Sequence, residues 1–241
     1  MVLEICANSY ASAIAAQAGG ADRIELCENL NEGGTTPSFG TLQKVREDLT
    51  IRLYVLIRPR AGDFCYSDEE YAIMRKDILL CKDIGCDGVV IGLLNPDGTV
   101  DHERTRELVA LAAPMGVTFH RAFDASNDGF EALETIIDCG CERILTSGMK
   151  NTALEGIEYL NLLVKRAGER ITIMPGSGIN EQNIKQLALK TGAQEFHTSA
   201  KLPVKSRMVY HNPDLLHMGT IEESNVEKIK AIAKELLAIR S

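Results

Sequence analysis

Four times in 241 residues the chain repeats one short turn: Gly20-Ala21-Asp22-Arg23, Gly85-Cys86-Asp87-Gly88, Gly140-Cys141-Glu142-Arg143 and Gly192-Ala193-Gln194-Glu195. In each copy the glycine can end a helix in the left-handed conformation, and a small residue then turns the chain into a strand. Between these turns the sequence alternates short aliphatic runs with amphipathic stretches. The runs predict strands at residues 2–7, 23–27, 53–59, 88–92, 117–121, 143–148, 171–176 and 195–200. Helical apolar spacing appears at Met74, Ile78 and Cys81, at Ile157, Leu160 and Val164, at Ile184, Leu187 and Ala188, and at Ile229, Ile232, Ala233 and Leu236. Ser67 with Glu70 and Ser224 with Glu227 fit capping boxes. Eight strands alternating with helices through short turns require parallel pairing with crossover helices. A chain of this length suits one (β/α)8 TIM barrel, which occupies about 200–250 residues. The alternative, an open doubly wound sheet, lacks the G-x-G-x-x-G expected after its first strand. The reading is one domain over residues 1–241, with a long, less regular segment at 201–223 before the last helix.

Charge then narrows the partners. With 26 basic and 34 acidic residues the net charge is −8, and no basic tract offsets it. Such a chain is poorly suited to neutralising a phosphate backbone, so nucleic acid is not the expected partner. No apolar run approaches the ~20 residues of a membrane span, and no charged leader precedes an apolar stretch. Seven cysteines in a chain with enough apolar material for a full core read as free thiols in a reducing cytoplasm.

In a barrel the outward strand residues must be apolar to meet the helices. That rule leaves Glu4, Cys6, Glu25, Cys27, Arg58, Thr118, His120, Glu195, His197 and Ser199 facing inward. Burying such groups is costly unless they pair or serve a ligand. Glu4 or Glu25 could act as a general base or hold a histidine. His120 and His197 could move protons near neutral pH. Arg58 suits an anionic group, because its planar fork binds carboxylate or phosphate. The alternative is a self-satisfied ion-pair network plugging the barrel. The turn Pro175-Gly176-Ser177-Gly178-Ile179-Asn180, with Asn180 as a helix cap, and the following Ser199-Ala200-Lys201 occupy positions where barrels often bind phosphate.

The cysteines divide by place. Cys81, Cys86, Cys139 and Cys141 are explained by packing. Cys6 and Cys27 fall at the mouth ends of neighbouring strands, about 4.8 Å apart, and two thiols there can hold a soft ion such as Cu(I). Cys65 lies in the third βα loop. His211, His217, Met208 and Met218 add soft-ligand candidates in the late loop.

Several segments resemble the CutC family, named for copper homeostasis: Leu3-Glu4-Ile5-Cys6, Ala21 to Cys27, Glu32 to Ser38, Ile57 to Asp68, Val117 to Asp124 and Ile144 to Gly148. The likeness runs from the start to about Lys201 and departs at Ala61, where glycine is expected. The resemblance implies a cytoplasmic TIM-barrel protein tied to copper handling and often self-associating, a homo-oligomer. It also implies that Glu4, Glu25, Arg58, His120, Arg121 and Asp124 form the mouth. Two functions are therefore carried forward. One is Cu(I) binding with Cys6 and Cys27 as lead ligands. The other is an enzyme acting on a small anionic, phosphorylated metabolite, with Arg58, Arg121, the Gly176–Gly178 turn and Lys201 on the anion and glutamate and histidine moving protons.

Overall fold

The computed structural model describes residues 1–210, 212, 214 and 220–240. Eight parallel strands form the sheet: β1 (Val2–Ala7), β2 (Arg23–Leu26), β3 (Arg52–Leu56), β4 (Gly88–Ile91), β5 (Gly116–Phe119), β6 (Arg143–Thr146), β7 (Thr172–Pro175) and β8 (Glu195–Thr198). Their order is β7-β6-β5-β4-β3-β2-β1-β8, so the sheet curls into a nearly closed (β/α)8 barrel. β7 and β8 lie side by side at the seam without a shared ladder. Helices α1 (Tyr10–Ala18), α2 (Phe39–Asp48), α3 (Asp68–Ile84), α4 (His102–Ala112), α5 (Gly129–Asp138), α6 (Ile157–Ala167), α7 (Ile184–Thr191) and α8 (Val226–Arg240) follow the strands in turn.

The core is the layer between sheet and helices. Leu3, Ile5, Ile24, Leu26, Val55, Val117, Phe119 and Phe196 point outward and are buried against helix residues such as Met74, Ile78, Leu160, Leu187, Ile229 and Ile232. The capping box at Ser67 and Glu70 forms as the spacing predicts.

The barrel's interior is filled unevenly. Tyr54 of β3 reaches across the barrel, and glycines on β4 and β5 leave room for it. A Cβ on Gly88 would lie 2.2 Å from the Tyr54 ring, and one on Gly116 2.3 Å from its hydroxyl. A strand glycine of this kind marks a close approach.

Three local expectations are corrected. β1 spans the predicted residues 2–7, but the other strands are shorter than their apolar runs; in β3, Ile57 to Pro59 already turn into the loop after a last Ile57 N–H bond to Val90. Asn180 does not cap α7; its carbonyl accepts from Asn183 and Ile184, and the helix starts one turn later. Ser224 does not cap α8 either. Asn225 Oδ1 takes the Lys228 N–H, while Ser224 ends a strand and donates its hydroxyl to Ser199 O. The 201–223 segment begins and ends as an antiparallel ribbon, β9 (Lys201–Val204) with β10 (Ile221–Ser224). His211, His217 and Met218 lie outside the described residues.

Candidate functional site

Strand alternation carries polar side chains into the barrel at two levels. The lower level is an ion network. Arg23 donates its Nε–H to Glu4 and an Nη2–H to Glu195 at 2.6 Å. Arg143 donates to Glu195 at 2.5 Å, to Glu142 at 2.7 Å and to Thr118 at 2.9 Å. Tyr54 closes the layer through a 2.6 Å bond to Glu142 and by lying under both guanidiniums. This is the expected plug of ion pairs, organised by Arg23 and Arg143, with Arg23 Nη1 buried and unpartnered among the described residues. The alternation that points Glu25 inward also points Arg23 inward, two residues earlier, and puts Arg143 beside an outward Ile144.

The upper level opens into a cavity of about 490 Å³ at the C-terminal ends of the strands. Its floor brings together Cys6, Glu25, Cys27 and His197. The two Sγ atoms are 3.6 Å apart and both residues are buried. One ligand atom each from Cys6, Glu25 and His197 lie within 4.8 Å of one another. Leu30, Leu56 and Val90 pack around the thiols. His197 Nδ1 is 2.7 Å from Glu4 Oε1 and its Nε2 is 3.4 Å from Glu25 Oε2.

Burial and charge set the protonation of this cluster. Burial alone would raise the Glu4 carboxyl, but Arg23 and the His197 bond outweigh it and hold it near 2. Glu4 is therefore a fixed carboxylate that holds His197, rather than a base exchanging protons near neutrality. Burial would lower the His197 imidazole, yet its bond to Glu4 and the Glu25 charge raise it. Glu25 is raised, chiefly by burial. Cys6 is pushed far up by its contact with Cys27, by burial and by the two carboxylates, so without a cation it stays a thiol.

The remaining candidates take other positions. His120 lines the cavity, with its Nδ1 accepting the Ala122 N–H at 3.0 Å and its Nε2 unpartnered. Its ring lies over Gly92, where a Cβ would come within 2.3 Å. Burial, then the Arg58 cation, lowers His120 to about 3, so it is held neutral rather than titrating near neutral pH. Arg58 also lines the cavity, but its fork is turned to loop carbonyls: Nη1 to Glu32 and Gly34, Nη2 to Gly62 at 2.7 Å. It staples two βα loops together instead of presenting a free fork to an anion. Asp124 accepts from Arg121, Thr146, Ser147 and Met149, and it organises the β6 loop beside the cavity. Ser177, Gly178 and Lys201 line the cavity, Lys201 paired with Glu222 at 2.5 Å. Gly176 sits behind them, its N–H bound to Thr146 O. Cys65 is exposed and away from the thiol pair.

Fold and site together define a TIM barrel whose mouth holds a buried thiol, carboxylate and imidazole cluster on a plug of ion pairs. A CutC family profile matches residues 1–202, and the chain belongs to the CutC family. A CutC family protein of Xanthomonas campestris pv. campestris (strain 8004) is 50% identical over 237 residues, 98% of this chain and 99% of that protein. One from Bacteroides fragilis is 48% identical over 245 residues, 100% of this chain and 98% of its own. A crystal structure of CutC from Streptococcus agalactiae, assigned to copper homeostasis in its name, superposes with a TM-score of 0.79 at 32% identity. It covers 83% of this chain and 98% of that one.

Proposed function

We propose that the protein serves copper homeostasis by holding Cu(I), as cargo, between Cys6 and Cys27 at the floor of the mouth. The observation that carries this reading is the pair of buried thiols 3.6 Å apart, with Glu25 and His197 beside Cys6. Thiolates select Cu(I) over harder ions, and Leu30, Leu56 and Val90 pack an apolar collar around the thiols. Free thiols in this position suit a reducing compartment, consistent with a cytoplasmic protein. No described helix is long and apolar enough to cross a membrane.

Cu(I) binds the thiolate, so the Cys6 thiol must lose its proton. Because that thiol is pushed up, Cu(I) binding releases its proton and strengthens as pH rises, by about tenfold per unit for that proton. Anaerobic competition against a Cu(I) chelator between pH 6 and 8 measures this slope. In the same assay Cys6→Ser plus Cys27→Ser is expected to weaken binding by roughly 100-fold or more. Unchanged affinity in the double variant overturns the site.

A further inference from the structure

The cavity reaches well beyond the thiols, and at about 490 Å³ it is sized for a small molecule rather than one ion. Among the charged residues of its wall one carboxylate, Glu25, faces Arg58, Arg121, Lys201 and Lys228. That cationic excess sits in a chain of net charge −8, so it is local to the mouth. Three of the four cations are engaged, by loop carbonyls, Asp124 and Glu222 respectively. Lys228, half-buried on the first turn of α8, has no side-chain partner among the described residues.

The start of α8 is tied to the turn after β8 by the Asn225 N–H bond to Ala200 O. That turn and the one after β7 contain Ser177 at φ 77, Gly178 at φ 72 and Ala200 at φ 46. Non-glycine residues rarely adopt this conformation, and they concentrate at ligand clamps. Gly178, Ile179 and Ser199 line the cavity, and among the described residues their main-chain N–H groups donate to no acceptor. A lysine lining one cavity with several uncommitted main-chain donors is the chemistry that recognises a phosphate group.

We propose that this end of the mouth binds the phosphate of a small phosphate monoester, between Lys228 and the N–H groups of Gly178, Ile179 and Ser199. The rest of the ligand occupies the cavity above the cluster on its floor. The inference uses none of the thiols and goes beyond copper binding.

The test is calorimetric and ³¹P NMR titration of copper-free protein with inorganic phosphate and glycerol 3-phosphate, with succinate as the carboxylate counterpart. Saturable binding of glycerol 3-phosphate is expected, weakened about tenfold or more in Lys228→Gln, the loss of one charge-assisted hydrogen bond. Lys228→Arg is expected to retain it, and both variants to melt as the parent does. The Cys6→Ser plus Cys27→Ser protein is expected to lose Cu(I) binding yet still bind the monoester, with Lys228→Gln weakening it there by the same factor, which separates this site from the copper site. Absence of saturable binding by either phosphate at about 10 mM, well above typical substrate affinities, overturns the proposal. Binding unaffected by Lys228→Gln, or succinate binding as tightly as the monoester, overturns it equally.

Discussion

At the scale of single residues, environment separates side chains of the same type. His120 and His197 both line the mouth, yet one is held neutral and the other raised. Burial lowers both; the Arg58 cation adds to it at His120, whereas the Glu4 bond and the Glu25 charge outweigh it at His197. With Nδ1 accepting from Ala122, His120 carries its proton on Nε2. ¹⁵N NMR of the imidazoles should show the His120 tautomer unchanged from pH 5 to 9, and a titration within that range would contradict the account. Cys6 likewise differs from Cys27. It contacts the second thiol and also belongs to the Glu25 and His197 group. Its removal should therefore cost more Cu(I) affinity than removal of Cys27, and equal losses would deny it that central place. The inward direction of all these residues was legible from strand alternation. Their proton states were not, because a pKa depends on charges and burial contributed by other strands.

At the scale of elements, β3, β4 and β5 act as a unit. Tyr54 takes up space that would otherwise be filled by side chains on the next two strands, and it supports both Arg23 and Arg143. Gly88→Ala should therefore force Tyr54 to move and destabilise the fold by about 2 kcal/mol or more, through overpacking and disturbance of a buried polar network. Urea unfolding measures this, and a change below about 0.5 kcal/mol would mean that the ring relocates freely. A sequence reading sees Gly88 only as the end of a turn repeat, since the residue it must accommodate lies 34 positions away. The ribbon of β9 and β10 was hidden for a similar reason. Its two strands are four residues each and separated by 16 residues, so neither carries a period of its own.

At the scale of the molecule, the barrel is plugged by charge below and left open above. Arg23 is fully buried and pairs with Glu4 and Glu195. Arg23→Met would leave both carboxylates without that partner, and the expected cost is about 3–5 kcal/mol, as for other broken buried pairs. The pH dependence has a definite sign. The folded Glu4 carboxyl is depressed to about 2 from 4.5, so its contribution is present above pH 4.5 and lost as pH falls towards 2. Without Arg23 that depression shrinks, and acid unfolding should begin at higher pH in Arg23→Met. Stability curves from pH 7 to 2 that superpose for parent and variant would show that the plug contributes nothing.

The sequence by itself determined the eight barrel strands and their direction, the parallel barrel they imply, and the alternation that turns side chains inward, though not the short ribbon of β9 and β10. Those properties follow from local covalent periodicity: two residues per strand repeat, 3.6 per helical turn, and glycine at the turns. Only the tertiary structure decided which inward residues meet. Cys6 and Cys27 are 21 positions apart and come together through register; Arg23 of β2 and Arg143 of β6 converge on Glu195 of β8, which the ring places between them. The opening turn repeat thus specified the frame. Closure of the sheet brought charges from distant strands into one low-dielectric interior, where their mutual distances separate a structural plug from a binding mouth.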